Sequence, residues 1–195
     1  MKLLDIISEL KTKEKPIYGS GADHTVYAHG SGDKVIKVGL PEEVTKWIDI
    51  FKANPDIFPI IYKTGVTTAD RSEFLGDPMA DVSGTERIYV EMEKLDTAAF
   101  MHDFKILNSM SERTLGKPLQ NIIHKWNPES RMLTTDETDV QELGKFLDHK
   151  YPSLYDVYMK IVSVIFRVRQ LKQNADIHIG QFGYNKDHNV KCLDI

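Results

Sequence analysis

Asp176-Ile177-His178-Ile179-Gly180-Gln181 runs directly into Phe182-Gly183-Tyr184, and after a polar turn comes Val190-Lys191-Cys192-Leu193-Asp194. Two short apolar runs around a polar turn predict a hairpin. Asp176 stands on the loop before it, Gln181 at its entry and Asp194 at its exit. A carboxylate on a loop is suited to take a proton from an incoming hydroxyl. The amide oxygen of Gln181 and the carboxylate of Asp194 are hard oxygen donors of the kind magnesium takes, together with waters and phosphate oxygens. The alternative reading of the same residues is a surface loop followed by a hairpin that happens to end in an acid.

The segment before this stretch predicts a long helix over 152–173, with Leu154, Val157, Tyr158, Ile161, Val162, Ile165, Val168 and Leu171 on a wide apolar stripe. Two further helices are expected over 97–112 and 137–149. The front of the chain reads differently. Ile17-Tyr18, Thr25–Ala28 and Lys34–Val38 are β-rich, and Gly30-Ser31-Gly32-Asp33 reads as a turn joining the last two into a hairpin. Pro41-Glu42-Glu43 has the proline and acids of a first helical turn, followed by Val44, Trp47, Ile48 and Phe51 at helical spacing. Ile60–Lys63 and Arg87–Met92 are further strand candidates, separated by a polar segment (67–86) expected to be a loop. A β-rich front and a helical back give an α+β order of elements in two lobes, 1–96 and 97–195.

With 195 residues, 41% of them hydrophobic and 28% charged, the chain is long and apolar enough to bury a core. A net charge of −4 without any dense basic cluster argues against nucleic acid as a partner. No stretch approaches the roughly 20 apolar residues that span a bilayer. Residues 1–10 read as a short amphipathic helix without the apolar run and cleavage site of a secretion signal. Cys192 is the single cysteine and cannot form an internal disulfide, so a reducing, cytoplasmic compartment is expected.

In the front half, Gly19-Ser20-Gly21-Ala22-Asp23-His24 leads to Val26. Its glycines let a strand–turn–strand approach phosphates with backbone N–H groups, although a plain hairpin needs no more than this. Lys37, flanked by Val35-Ile36 and Val38, shares a face with Val35 by alternation. It either snorkels at an edge or reaches a phosphate. Glu43, with Glu42 beside it, could hold Lys37 in an ion pair or serve only as a first-turn acid. Where strand gives way to helix, an adenine ring could meet the backbone of Glu93 and Leu95 with Met92 behind it; an edge strand leaving the sheet reads the same.

In this order the pieces resemble the protein-kinase-like superfamily: glycine loop, strand lysine, linker, long helix, catalytic loop and metal-binding aspartate. The likeness runs from about Ile17 to Asp194. The form Asp-Ile-His-Ile-Gly-Gln is similar to the Asp-x-His-x-Gly-Asn loop of aminoglycoside and choline phosphotransferases, and Lys34–Gly39 resembles short serine/threonine kinases of bacteriophages. The resemblance implies ATP and magnesium as cofactors and a protein hydroxyl as acceptor. It assigns Lys37 to the α/β-phosphates, Asp176 to the hydroxyl, Gln181 and Asp194 to the metal, and Gly19, Ser20, Gly21 and Val26 to the cover over the phosphates. For a phage-encoded kinase the compartment would be the host cytoplasm.

The chain also departs from that pattern. His24 stands for the third loop glycine, Asn174-Ala175 for the usual His-Arg, Gln181 for asparagine, and only Ile195 follows Asp194. These departures keep a second function open, a pseudokinase that binds or inhibits a host protein, and His178 with Gly180 a third, a small-molecule kinase. The stripe on the long helix needs cover from residues 97–150 or from a second subunit, so a homodimer is expected if the former do not suffice.

Overall fold

Lys34–Gly39 is the strand around which the first part of the protein is built. A computed structural model describes residues 17–20, 24–67, 86–125, 135–171 and 177–194 of the chain. These fall into two compact units that divide between Lys94 and Leu95, with Asp56–Phe58 belonging to the second. The architecture is α+β.

In the first unit β1 (Ile17–Ser20), β2 (His24–Ala28), β3 (Lys34–Gly39), β4 (Ile61–Thr67) and β5 (Arg87–Glu93) form an antiparallel sheet in the order β1-β2-β3-β5-β4. The β2–β3 turn needs a residue with positive φ, and Gly32 supplies it at 80°. Alternation then divides β3 between two faces. Ile36 and Val38 pack with Tyr27 and Tyr89 on one face. Helix α1 (Pro41–Ala53) follows β3 almost at once; Leu40 accepts from the backbone N–H groups of Glu43 and Val44. So short a connection fixes the helix phase, which buries Val44, Trp47, Ile48 and Phe51. Strand β4 lies at the edge and runs to Thr67 because Gly65 seats the ring of Tyr89, whose nearest atom would stand 2.4 Å from any Cβ there.

The second unit opens with α2 (Thr97–Leu115), capped by Asp96, whose carboxylate accepts from the Ala99 N–H at 2.9 Å. Gly116 closes it in the left-handed conformation. Then come α3 (Leu119–Lys125), α4 (Thr135–Lys150), α5 (Pro152–Leu171), a 3-10 turn (Ile179–Gln181) and the hairpin of β6 (Phe182–Tyr184) and β7 (Val190–Cys192). On α5 the buried residues are Tyr158, Ile161, Ile165 and Val168 from the predicted stripe, with Val164, outside that stripe, buried beside them. Helix α4 packs along α5, so cover for the stripe comes from within the unit, and Met159, Phe166 and Leu171 remain exposed. No helix among the described residues is long and apolar enough to cross a membrane.

The Tyr158 hydroxyl donates to the Val140 carbonyl at 2.7 Å between α4 and α5. Burial raises its pKa well above the ordinary 10.0, because the charged phenolate is poorly solvated there. A phenol held neutral in the fold contributes stability that is complete below pH 10 and is lost as pH rises through the folded value, because only the unfolded chain ionises. Thermal melts should therefore show stability falling above about pH 10, less steeply in Tyr158→Phe. An identical alkaline slope in that variant would contradict the assignment.

Candidate functional site

The cross-strand register places several sequence-predicted residues in one row. Gly19 pairs with Val26, Val26 with Lys37, and Lys37 with Val90. Residues directly opposite on antiparallel strands share a face, so Val26, Lys37 and Val90 project to the same side. Met92, two residues beyond Val90 and paired with Val35, follows on that side. Ser20 is the next residue of β1 and pairs with Thr25. The side of Lys37 is opposite to the Tyr27–Ile36–Tyr89 cluster.

Lys37 is only 3% exposed. Its ammonium stands 4.7 Å from the ring centroid of Trp47, on α1. Glu43, one turn earlier, pairs instead with Lys46 at 2.8 Å on the exposed part of the helix. Lys34, on the other face, is held at 2.6 Å by Glu91, and that hydrogen bond raises its pKa.

At the predicted adenine linker, Met92 and Glu93 are buried. The Glu93 N–H donates to the Ile60 carbonyl at 2.9 Å, and the Glu93 carboxylate accepts from the Ile60 N–H at 3.4 Å. Both backbone and side chain of Glu93 thus tie β5 to the start of β4. Leu95, assigned to the second unit, packs so closely on Gly183 that a Cβ there would stand 2.7 Å from its own Cβ.

In the second unit the hairpin brings Gln181 and Asp194 to the same end. Phe182 pairs with Cys192, and just beyond, the Leu193 N–H donates to the Gln181 carbonyl at 2.6 Å. Gln181 also closes the 3-10 turn on itself. Its N–H donates to the His178 carbonyl and its Oε1 accepts from the His178 N–H, both at 3.0 Å. The backbone donor fixes which carboxamide atom is oxygen. That oxygen keeps a second lone pair, so a metal is not barred from it. The Cys192 thiol donates to the Asp194 carbonyl at 2.9 Å, which fixes the backbone that carries this carboxylate.

The hairpin itself is anchored. Asp96 and Tyr184 exchange backbone hydrogen bonds of 2.7 and 3.2 Å, the Cys192 N–H donates to the Ile57 carbonyl at 2.8 Å, and the Tyr184 hydroxyl donates to Asp103 at 2.8 Å. Burial first, and then this bond, push the Tyr184 phenol well above its ordinary value. Asp103, Ile57 and Trp47 carry no signal in the sequence beyond helical or apolar placement; only the fold brings them to these positions.

Asp176 and Gly21 lie outside the described residues, as do Asn174-Ala175, the amphipathic stretch 1–10 and most of the polar segment 67–86. Among the described residues no three His, Cys, Asp or Glu side chains cluster in the manner of a metal site. A magnesium ion here would draw on one carboxylate and one carboxamide, completed by water and phosphate oxygens. No protein-family model matches the chain, and a comparison with curated proteins finds no match.

Proposed function

We propose that the chain is an ATP- and magnesium-dependent phosphotransferase of protein-kinase-like type that acts on a protein serine or threonine hydroxyl. The observation that carries this reading is the row Gly19–Val26–Lys37, which sets a buried lysine beside the backbone of a glycine-bearing strand pair. The fixed end of the hairpin, with Gln181 and Asp194, supports it from the second unit. The elements also follow in the order the resemblance implies.

In this reading Lys37 offsets charge on the α/β-phosphates, and Gln181 with Asp194 holds magnesium. The acceptor hydroxyl passes its proton to Asp176 while its oxygen forms a bond to the γ-phosphorus. The bond from that phosphorus to the ADP oxygen breaks, and the electron pair leaves on ADP. Asp176→Ala should abolish phosphate transfer to protein, self-phosphorylation included, without loss of folding. Transfer at the wild-type rate in that variant would remove the base from the mechanism.

A second reading, a pseudokinase that holds nucleotide and binds or inhibits a partner protein, is favoured by the N–H of His178 on the Gln181 oxygen. Thermal shift separates the two. A ligand at 100 times its dissociation constant stabilises by about 2.7 kcal/mol. A shift of that size with ATP and magnesium but no transfer to any protein favours the second reading.

A further inference from the structure

We propose that the outer face of α5 joins two copies of this chain as an antiparallel helix pair, about a two-fold axis beside Ser163. This face is not the stripe that α4 covers. Met159 and Phe166 lie 41% and 38% exposed. They stand seven residues apart (166 − 159). On a helix that spacing is about 20° short of two full turns, so both side chains leave along one line. Ser163 lies between them and is exposed. Ile161 and Ile165, with no exposed surface, turn to the core from another side of the same helix.

A two-fold axis across a helix makes each residue meet its counterpart counted from the other end, so such a face must complement itself. With the axis between Val162 and Ser163, Met159 falls opposite Phe166 of the second copy, and Phe166 opposite its Met159. A thioether against an aromatic ring is a favourable contact. Ser163 at the axis is small enough to let the two helices approach closely. The charges follow the same order. Asp156 is exposed and forms no ion pair among the described residues. In the antiparallel pair it arrives beside the turn that bears Arg167 of the second copy. Arg167 already holds Asp56, yet its side chain is 43% exposed, and a guanidinium carries five donors. Opposite charges thus meet at both ends of the seam, whereas a parallel pair in register would set Asp156 on Asp156 and Arg167 on Arg167. Two apolar side chains from each copy make a small interface, so the pairing is reversible and of micromolar class. It does not rest on the phosphotransferase reading.

Sedimentation equilibrium of the full chain, from micromolar to millimolar concentration, should show a reversible monomer–dimer equilibrium. Met159→Glu should raise the dissociation constant about 100-fold or more, because the substitution enters the interface twice and buries two like charges. Ser163→Arg, which sets bulk and like charge at the axis, should do the same. Both positions are exposed, so the melting temperature of each variant should stay with that of the parent. Cross-linking under mild oxidation reads the direction of the pair. Ser163→Cys meets its own copy near the axis and should give a disulfide-linked dimer. Met159→Cys should not, because the antiparallel register sets the two copies of that position about 10 Å apart along the helices. The native Cys192 is buried and present in both, so it contributes the same background. A chain that stays monomeric at millimolar concentration overturns the proposal and leaves this face to a different protein. So does a dimer that neither charged substitution weakens, or a Met159→Cys chain that cross-links as readily as Ser163→Cys.

Discussion

Phe100→Ala should destabilise the second unit by about 3–5 kcal/mol, the cost typical of deleting a fully enclosed aromatic ring. Phe100 has no exposed surface. Its ring meets Phe104 at 6.2 Å, Phe182 at 5.9 Å and the edge of Tyr184 at 5.5 Å between centroids. It therefore joins α2 to the strand that follows Gln181. The smaller side chain leaves a cavity whose other walls cannot collapse, because Gly183 already touches Leu95 and Asp96 is bridged to Tyr184. Urea unfolding followed by circular dichroism measures the loss. A change below about 1 kcal/mol would show that the hairpin is held by something other than this cluster.

Lys37→Met should separate activity from stability. Phosphate transfer should fall at least about 100-fold, a loss of about 2.7 kcal/mol of transition-state stabilisation. The variant should still fold. Methionine is close to lysine in length, carries no charge to desolvate, and meets Val26, Val90 and the Trp47 ring on the same face. Initial rates of phosphate transfer and a thermal melt of the same preparation check both halves. A strongly destabilised variant would mean that the lysine holds the sheet together, and an active one that it has no part in the chemistry.

The fold was legible wherever a periodic pattern ran long enough. Val44, Trp47, Ile48 and Phe51 announced the inner face of α1, and the stripe on α5 was readable to within a residue or two at its buried centre. Alternation in Lys34–Gly39 placed Lys37 with Val35, and both are buried. Helix α3 escaped notice because seven residues after Lys117-Pro118 give Leu119, Ile122 and Ile123 too little length to establish a period. Strand β4 begins at Ile61 and runs on to Thr67; its continuation depends on Gly65 receiving a ring from the neighbouring strand, which no local pattern encodes.

For the candidate site the limits were similar. Glycine, lysine and carboxylate positions carried local signals, but their partners did not. That Lys37 faces an indole follows from the helix phase after a one-residue connection, and two adjacent acids in the first turn pointed to Glu43 instead. The His178 N–H on the Gln181 oxygen likewise depends on a 3-10 turn too short to read from periodicity.

Titration calorimetry of ATP, with and without magnesium, into the wild type, Lys37→Met and Asp194→Asn tests the central claim most directly. The prediction is saturable binding to the wild type that magnesium strengthens, a loss of that strengthening in Asp194→Asn, and weaker binding in Lys37→Met whether or not magnesium is present. A wild-type chain that takes up no ATP, or one whose affinity neither substitution alters, would contradict it.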